Sequence, residues 1–161
     1  MLKAVVNRLE IAELPSLIQP LVLIFARLFH SHVNEVMSFL GGVTTNNGAN
    51  GLVFVMNSWT KHHEEFQGSF YLKLSCTGLA KVLELKDSRL DAISVPGDVV
   101  VDPNEGIVTR SKSKTTPKKY SLVPLKVKIL QLLVREHQVA NVADEAENDD
   151  VICVDNEIIL I

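Results

Sequence analysis

Residues 105–134, EGIVTRSKSKTTPKKYSLVPLKVKILQLLV, join a basic segment directly to the most helical stretch of the chain. From Arg110 to Lys119, five residues are Lys or Arg and none is Asp or Glu. Ser, Thr and Pro side chains in this segment compete with or block a regular backbone, which favours a mobile, solvated loop. Residues 122–134 are mostly apolar and predict a helix that is buried on most sides. Its narrow polar strip consists of Pro124, Lys128, Gln131 and Arg135.

The overall composition favours a helical domain. The chain has 161 residues, and its hydrophobic content of 47% is enough to build the core of one ordinary domain. Aromatic residues make up only 6%, glycines and prolines are few, and Leu, Val and Ile are abundant. These proportions indicate packed helices rather than a turn-rich β fold.

Charge is distributed unevenly along the chain. The formal net charge is −3, but residues 144–157 carry seven acids and no Lys or Arg. This acidic segment either binds a basic protein with strong salt dependence or is a disordered, solubilising end. The basic segment is interpreted as a linker or an intramolecular partner of the acids, and alternatively as a nuclear-localisation-like or nucleic-acid-touching segment. The candidate partner contacts are Arg110, Lys112, Lys114, Lys118, Lys119, Asp144, Glu145, Glu147, Asp149 and Asp150.

Cysteine usage and hydropathy predict a soluble intracellular protein. Cys76 and Cys153 lie far apart in different surroundings, which suggests neither a disulfide nor a metal site. The most apolar run, residues 17–29, contains polar interruptions and is too short to cross the ~30 Å hydrocarbon core of a bilayer. No signal peptide is visible at the start of the chain. We therefore expect a reducing compartment and no membrane insertion.

Apolar residues recur at helical spacing in six long segments. The first, from Leu2 to Ala12, has no capping residue, as if it were cut from something longer. Ser16 is the expected cap of the second, where Pro20 lies in the first turn or kinks the helix. The third ends at residues 41–42, both glycines.

The later segments show similar signals. Asn50 is the expected cap of the fourth helix, and Gly68 separates it from the fifth. A short helical turn is predicted around Leu90, and the only extended stretch is predicted at residues 99–101, as a marginal lone strand. The sixth long helix is predicted to run from Leu122 to about residue 140.

Several of the predicted helices have an apolar face wider than a single neighbouring helix would cover. Such helices pack against neighbours on two sides, which is typical of an α-solenoid. The predicted fold is therefore all-α, a partial HEAT-repeat α-solenoid (an ARM-like α-α superhelix), with a compact helical bundle as the alternative. No exact repeat is found, as expected for degenerate HEAT units of ~40–47 residues. No cofactor is predicted.

The sequence signals for catalytic or metal-binding sites are weak. His62 and His63 are interpreted as surface polar residues rather than metal ligands, because adjacent helical residues do not face each other. Cys76 lies on an apolar stripe with no nearby base in the sequence, which indicates a core residue rather than a nucleophile. Trp59 is predicted to lie in the core, with an exposed partner-binding anchor as the alternative. No catalytic residue can be assigned, so an enzyme is not expected.

Several short stretches of the sequence resemble the importin-β family of nuclear import receptors. They are VFVMNSWT (53–60), EGI (105–107), TRSKS (109–113) and PLKVKIL (124–130), preceded by the similar helices LKAVVNRLE (2–10) and LIQPLVLIFARLFHSHVNEVMSFL (17–40). The resemblance covers residues 1–143. It implies a HEAT superhelix that shuttles between cytoplasm and nucleus, carries basic cargo such as core histones, and is controlled by Ran in its GTP form.

The resemblance also implies a C-terminal fragment of a longer receptor, in which Ran-GTP and nucleoporins bind the full-length protein. It makes direct nucleic-acid binding by the basic loop less expected. We divide the chain into HEAT-type repeats (1–104), a basic flexible inter-helix loop (105–120), a long solenoid helix (121–143) and an acidic, disordered or truncated tail (144–161). The ending VICVDNEIILI (151–161) departs from the family pattern. The alternative function is a HEAT scaffold or regulatory interaction module without transport activity.

Overall fold

Helices account for most of the structure. A computed structural model of the chain describes residues 1–99 and 120–151, with side chains described for residues 1–97 and 120–140. The elements are α1 (Leu2–Glu10), α2 (Pro15–Ser31), α3 (Val33–Gly42), α4 (Gly51–His62), a 3-10 turn (His63–Glu65), α5 (Ser69–Glu84), α6 (Ser88–Asp91), β1 (Ser94–Val99), β2 (Tyr120–Pro124) and α7 (Leu125–Val151).

Helix ends follow local chemistry, with one exception. The side chain of Asn50 accepts hydrogen bonds from the backbone N–H groups of Leu52 (3.0 Å) and Val53 (3.4 Å), which confirms the predicted cap of α4. Gly68, at φ +91°, separates α4 and its 3-10 turn from α5. The predicted cap by Ser16 is wrong. Pro15 is the first helical residue, where its missing N–H costs nothing, so the N-cap is Leu14, two residues before Ser16.

The long helices pack as layers. Helix α2 lies along α5, and α4 lies against α7, while α1, α3 and α4 also contact α2. Most helices therefore have neighbours on two sides, which is the packing of a HEAT-type solenoid. The prediction of an all-α, partial HEAT-repeat fold is confirmed.

One apolar core connects these layers. Phe25, Phe29 and Trp59 are fully buried at its centre, and the rings of Phe29 and Trp59 lie 6.0 Å apart. Helices α2 and α5 approach closely where Gly78 faces Ala26, because a Cβ atom on Gly78 would lie 3.0 Å from the Ala26 backbone. The core position predicted for Trp59 is confirmed.

A two-stranded antiparallel sheet replaces part of the predicted sixth helix. Val95 pairs with Val123 and Pro96 with Leu122, so the helix prediction for residues 122–124 is wrong. The residue before a proline avoids the α region, and Pro124 cannot donate in a helix interior, so the helix starts after it. Val99 lies in a strand as predicted, but the prediction of a lone strand without a partner is wrong. Strand β1 begins at Ser94 and pairs with β2, and residues 100–101 of the prediction lie outside the described residues.

Helix α7 extends further than predicted. Its backbone is helical to Val151, past the predicted end near residue 140 and into the segment predicted as an acidic tail. The basic segment from Arg110 to Lys119 lies outside the described residues. The division of the chain into four segments stays a prediction.

The loop between α3 and α4 is held by α1. The carboxylate of Glu10 accepts hydrogen bonds from the backbone N–H groups of Asn46 (3.1 Å) and Asn47 (3.0 Å), and from the Asn46 side chain (2.8 Å). Within the loop, Thr45 Oγ1 accepts a bond of 3.0 Å from the N–H of Ala49. This contact crosses 36 positions of sequence, so local patterns give no sign of it.

Candidate protein-binding site

The ten predicted partner-contact residues fall in two places. The basic residues Arg110, Lys112, Lys114, Lys118 and Lys119 lie outside the described residues. The acidic residues Asp144, Glu145, Glu147, Asp149 and Asp150 lie on the helical backbone of α7. At a rise of ~1.5 Å per residue, this acidic segment spans only about 10 Å of helix. A helix concentrates the five acids along a short length, and their role in binding stays a prediction.

The first half of α7 has one buried apolar face and one exposed apolar face. Leu125, Ile129 and Leu132 are buried against the core. On the outer side, Leu130 is 53% exposed, and the other exposed apolar residues of the same stripe are Val127 and Val134. The expectation that this helix is buried on most sides is therefore wrong among the described residues. Lys128 of the predicted polar strip is instead buried, because α7 begins at Leu125 and packs through one face only.

Ion pairs connect α7 to the elements before it. Arg135 lies 2.6 Å from Glu64 of the 3-10 turn, and Lys126 lies 2.6 Å from Asp91 of α6. All four side chains are partly or largely exposed, so each pair adds at most about 1 kcal/mol. The two pairs nevertheless favour one position of α7 along α6 and the 3-10 turn, because a shift of α7 by one helical turn would separate the partners of both pairs.

His63 is buried, so its predicted position on the surface is wrong. Its Nδ1 lies 2.8 Å from Ser75 Oγ, and its Nε2 lies 3.8 Å from Glu136 of α7. Burial lowers the pKa of His63 to about 4, although the carboxylate of Glu64 acts in the opposite direction. The imidazole is therefore neutral at neutral pH. Its helical register with Trp59 and Phe66 was the signal that could have identified this buried position.

Ser75 joins His63 to Trp59. Trp59 Nε1 donates a hydrogen bond of 2.8 Å to Ser75 Oγ, and all three side chains are buried. A hydroxyl group has one donor and two acceptor sites, so it can accept from the indole while also bonding the imidazole. The cluster therefore satisfies polar atoms inside an apolar core and locks α4 and its 3-10 turn to α5.

Cys76 is half-buried next to this cluster. The sequence showed no nearby base, but the fold brings His63 Nε2 to 4.0 Å from its Sγ. Burial, and secondly the carboxylate of Glu136, raise the pKa of Cys76 to about 11. A neutral thiol beside a neutral imidazole lacks the thiolate that nucleophilic catalysis requires. Because Cys76 is half-buried, the predicted core position is met only in part.

The described residues contain neither a metal-binding cluster nor a membrane-spanning helix. Across residues 1–97 and 120–140, His, Cys, Asp and Glu side chains form no group of three or more that could hold a metal ion. Within the described part of the chain, none of the helices combines the length and apolarity needed to cross a bilayer.

Comparison with known proteins shows that the chain is similar to importins. Importin-9 of Drosophila melanogaster is 32% identical over 145 residues, which cover 86% of this chain and 14% of that protein. Importin subunit beta-5 of Schizosaccharomyces pombe is 32% identical over 132 residues, covering 81% of this chain and 13% of that protein. Importin subunit beta-5 of Saccharomyces cerevisiae is 31% identical over 135 residues, covering 84% and 13% respectively. The chain thus spans about one seventh of the length of these relatives. No protein-family model matches it.

Proposed function

We propose that this chain, an importin-family homologue, is a C-terminal segment of a nuclear import receptor and binds basic cargo proteins such as core histones. The observation that carries the proposal is the match to importins along 86% of the chain. The HEAT-type packing of α2, α4, α5 and α7 agrees with such a receptor. Within the receptor, this segment supplies solenoid surface and forms or breaks no covalent bond.

The acidic part of α7 is the proposed cargo contact. Five of the seven residues from Asp144 to Asp150 are Asp or Glu. Closely spaced like charges repel one another, and a cationic partner relieves this repulsion while releasing bound counterions. Association should therefore be fast and should weaken steeply as salt concentration rises. This dependence separates electrostatic cargo binding from apolar adhesion.

The test uses the chain and purified core histones. Asp144→Asn, Glu145→Gln and Glu147→Gln are combined, and affinity is measured by fluorescence anisotropy over a range of salt concentrations. We expect affinity at least ~10-fold weaker at moderate salt and a shallower salt dependence, since three favourable charges are lost.

The matched control removes three carboxylates elsewhere, through Glu13→Gln, Glu35→Gln and Glu84→Gln. These side chains are exposed on α1–α2, α3 and α5. If both triple variants bind histones equally well, the cargo contact does not lie on α7. If the unchanged chain fails to bind histones at low salt, it does not bind this cargo by itself.

Regulation by Ran-GTP and binding of nucleoporins are proposed for the full-length receptor, together with shuttling between cytoplasm and nucleus. The chain spans only about one seventh of its relatives, so we expect it alone to show no Ran-dependent cargo release. Adding GTP-loaded Ran to the chain–histone complex tests this expectation. Release from the chain alone would place a Ran-binding surface within these 161 residues.

A further inference from the structure

A groove runs along the outer side of the α2–α5 layer. It consists of two adjoining hollows with volumes of about 470 and 600 Å³, which share Arg27, Phe70 and Leu74. One wall comes from α2 and the other from α5. Among the described residues, these two helices form the largest helix–helix contact. Among the described residues, the lining of both hollows comes from α2 and α5 and includes none of α7.

The groove exposes aromatic and aliphatic side chains. Phe70 is 64% exposed, Tyr71 48% and Ile24 40%, and all three line the first hollow. Single exposed apolar residues are common, but contiguous aromatic and aliphatic side chains around a concave surface are typical of binding sites. Aromatic residues also dominate the energy of many protein interfaces.

The aromatic wall is held in place before any partner binds. Gln19 on α2 donates a hydrogen bond of 2.8 Å to the carbonyl of Gln67 and accepts one of 3.1 Å from its N–H. Gly68 then turns the chain at φ +91°, directly before α5 begins. The rings of Phe70 and Tyr71 meet edge to face at 5.6 Å. A preformed wall reduces the entropy that a partner must overcome on binding.

Charge around the groove has one sign. Arg27 lines both hollows and Lys73 lines the second, whereas neither lining contains Asp or Glu. Basic cargo is therefore disfavoured here, and the groove needs a different partner from the one proposed above. We propose that the α2–α5 groove binds an acidic amphipathic peptide segment of a partner protein, with apolar side chains against Phe70 and carboxylates beside Arg27 and Lys73.

The proposal is tested with synthetic peptides. A labelled amphipathic peptide carries Phe and Leu at i, i+3 and i+4 spacing and Glu at the flanking positions, and two analogues replace every Glu with Gln or with Lys. Affinity for the full chain is measured by fluorescence anisotropy. We expect the Glu peptide to bind at least ~10-fold more tightly than either analogue, with an affinity that falls with salt. Failure of the Glu peptide to bind, or equal binding of the Gln analogue, would overturn the proposal.

Matched variants locate the binding site. Phe70→Ser should weaken binding of the Glu peptide at least ~10-fold, whereas Leu130→Ser, which removes a similarly exposed side chain from α7, should have little effect. The double variant Arg27→Glu, Lys73→Glu should weaken binding of the Glu peptide and improve binding of the Lys analogue. The charge control Lys3→Glu, Arg8→Glu changes two exposed cations on α1.

Two outcomes of these variants contradict the proposal. Equal losses from Phe70→Ser and Leu130→Ser would mean that the peptide does not bind in the groove. Concentration-dependent dimerisation that Phe70→Ser abolishes would mean that a second copy of the chain occupies this face. Histone binding is measured in parallel and should not change in the groove variants, so failure of this proposal is distinguishable from failure of the proposed cargo function.

Discussion

Gly78 of α5 packs against the indole of Trp59 of α4, so that a Cβ atom on Gly78 would come within 2.8 Å of Trp59 Cη2. The same Cβ atom would also lie 3.0 Å from the backbone of Ala26 on α2. Three helices therefore meet at a point where only a hydrogen atom fits. The rigid indole and the helix backbone have little freedom to move aside.

We expect Gly78→Ala to destabilise the fold by about 1–3 kcal/mol, because overpacking outweighs the helix propensity that alanine adds. Urea unfolding followed by circular dichroism measures the change. The control is Gly42→Ala at the end of α3, where a Cβ atom meets nothing within 4 Å. A neutral or stabilising effect of Gly78→Ala would contradict the close approach of α2 and α5.

Removal of the Ser75 hydroxyl should also destabilise the core. Ser75→Ala leaves the buried Trp59 N–H and His63 Nδ1 without their 2.8 Å partner. We expect a loss of about 1–3 kcal/mol of unfolding free energy, the usual cost of an unsatisfied buried polar group. Ser38→Ala on the exposed side of α3 is the control and should change stability by less than about 0.5 kcal/mol.

Stability should depend on the protonation of His63. Its pKa is about 4 in the folded chain, against an ordinary value of 6.5 for histidine, so the unfolded chain binds a proton first as the pH falls. The stabilisation is therefore complete above pH 6.5 and is lost progressively as the pH falls towards 4, by roughly 3 kcal/mol in all.

His63→Gln should remove this part of the pH dependence between pH 6.5 and pH 4. Unfolding free energies at several pH values measure the slope, while His30→Gln at an exposed position of α2 provides the control. The prediction fails if His63→Gln and the unchanged chain show the same slope over this range.

Cys76 should react slowly with alkylating agents in the folded chain. A pKa raised to about 11 from its ordinary value of 9.0 leaves roughly 100-fold less thiolate near pH 8. In a Cys153→Ser background, iodoacetamide labelling followed by mass spectrometry should be at least ~10-fold faster in denaturant than in buffer. Equal rates in the two conditions would show that the thiol is neither buried nor perturbed.

The main helices were predictable because their signals are local. The apolar periodicity of residues 52–59, the Asn50 cap and the break at Gly68 all lie within a few residues of the helices they define. The helix prediction for PLKVKIL (124–130) is correct except at its first residue, because Pro124 ends strand β2 and the helix begins at Leu125.

The candidate sites were less predictable. The acids of α7 are visible in composition, and their helical backbone is a finding of the structure. Burial of His63 was indicated by its register, but its Ser75 partner lies 12 positions away. The α2–α5 groove depends on two helices separated by a long stretch of chain, so no local pattern marks Phe70 as part of a cationic groove with Arg27.

The sequence by itself determined where most helices form and which of their faces are apolar, because helix formation and capping depend on neighbouring residues. Tertiary structure alone decided that Val123 pairs with Val95, that Gly78 faces Trp59 and that Glu10 holds the loop at Asn46. These contacts join positions distant in sequence. Their free energy depends on how the helices pack against each other, so it cannot be predicted from the sequence of a single helix or strand.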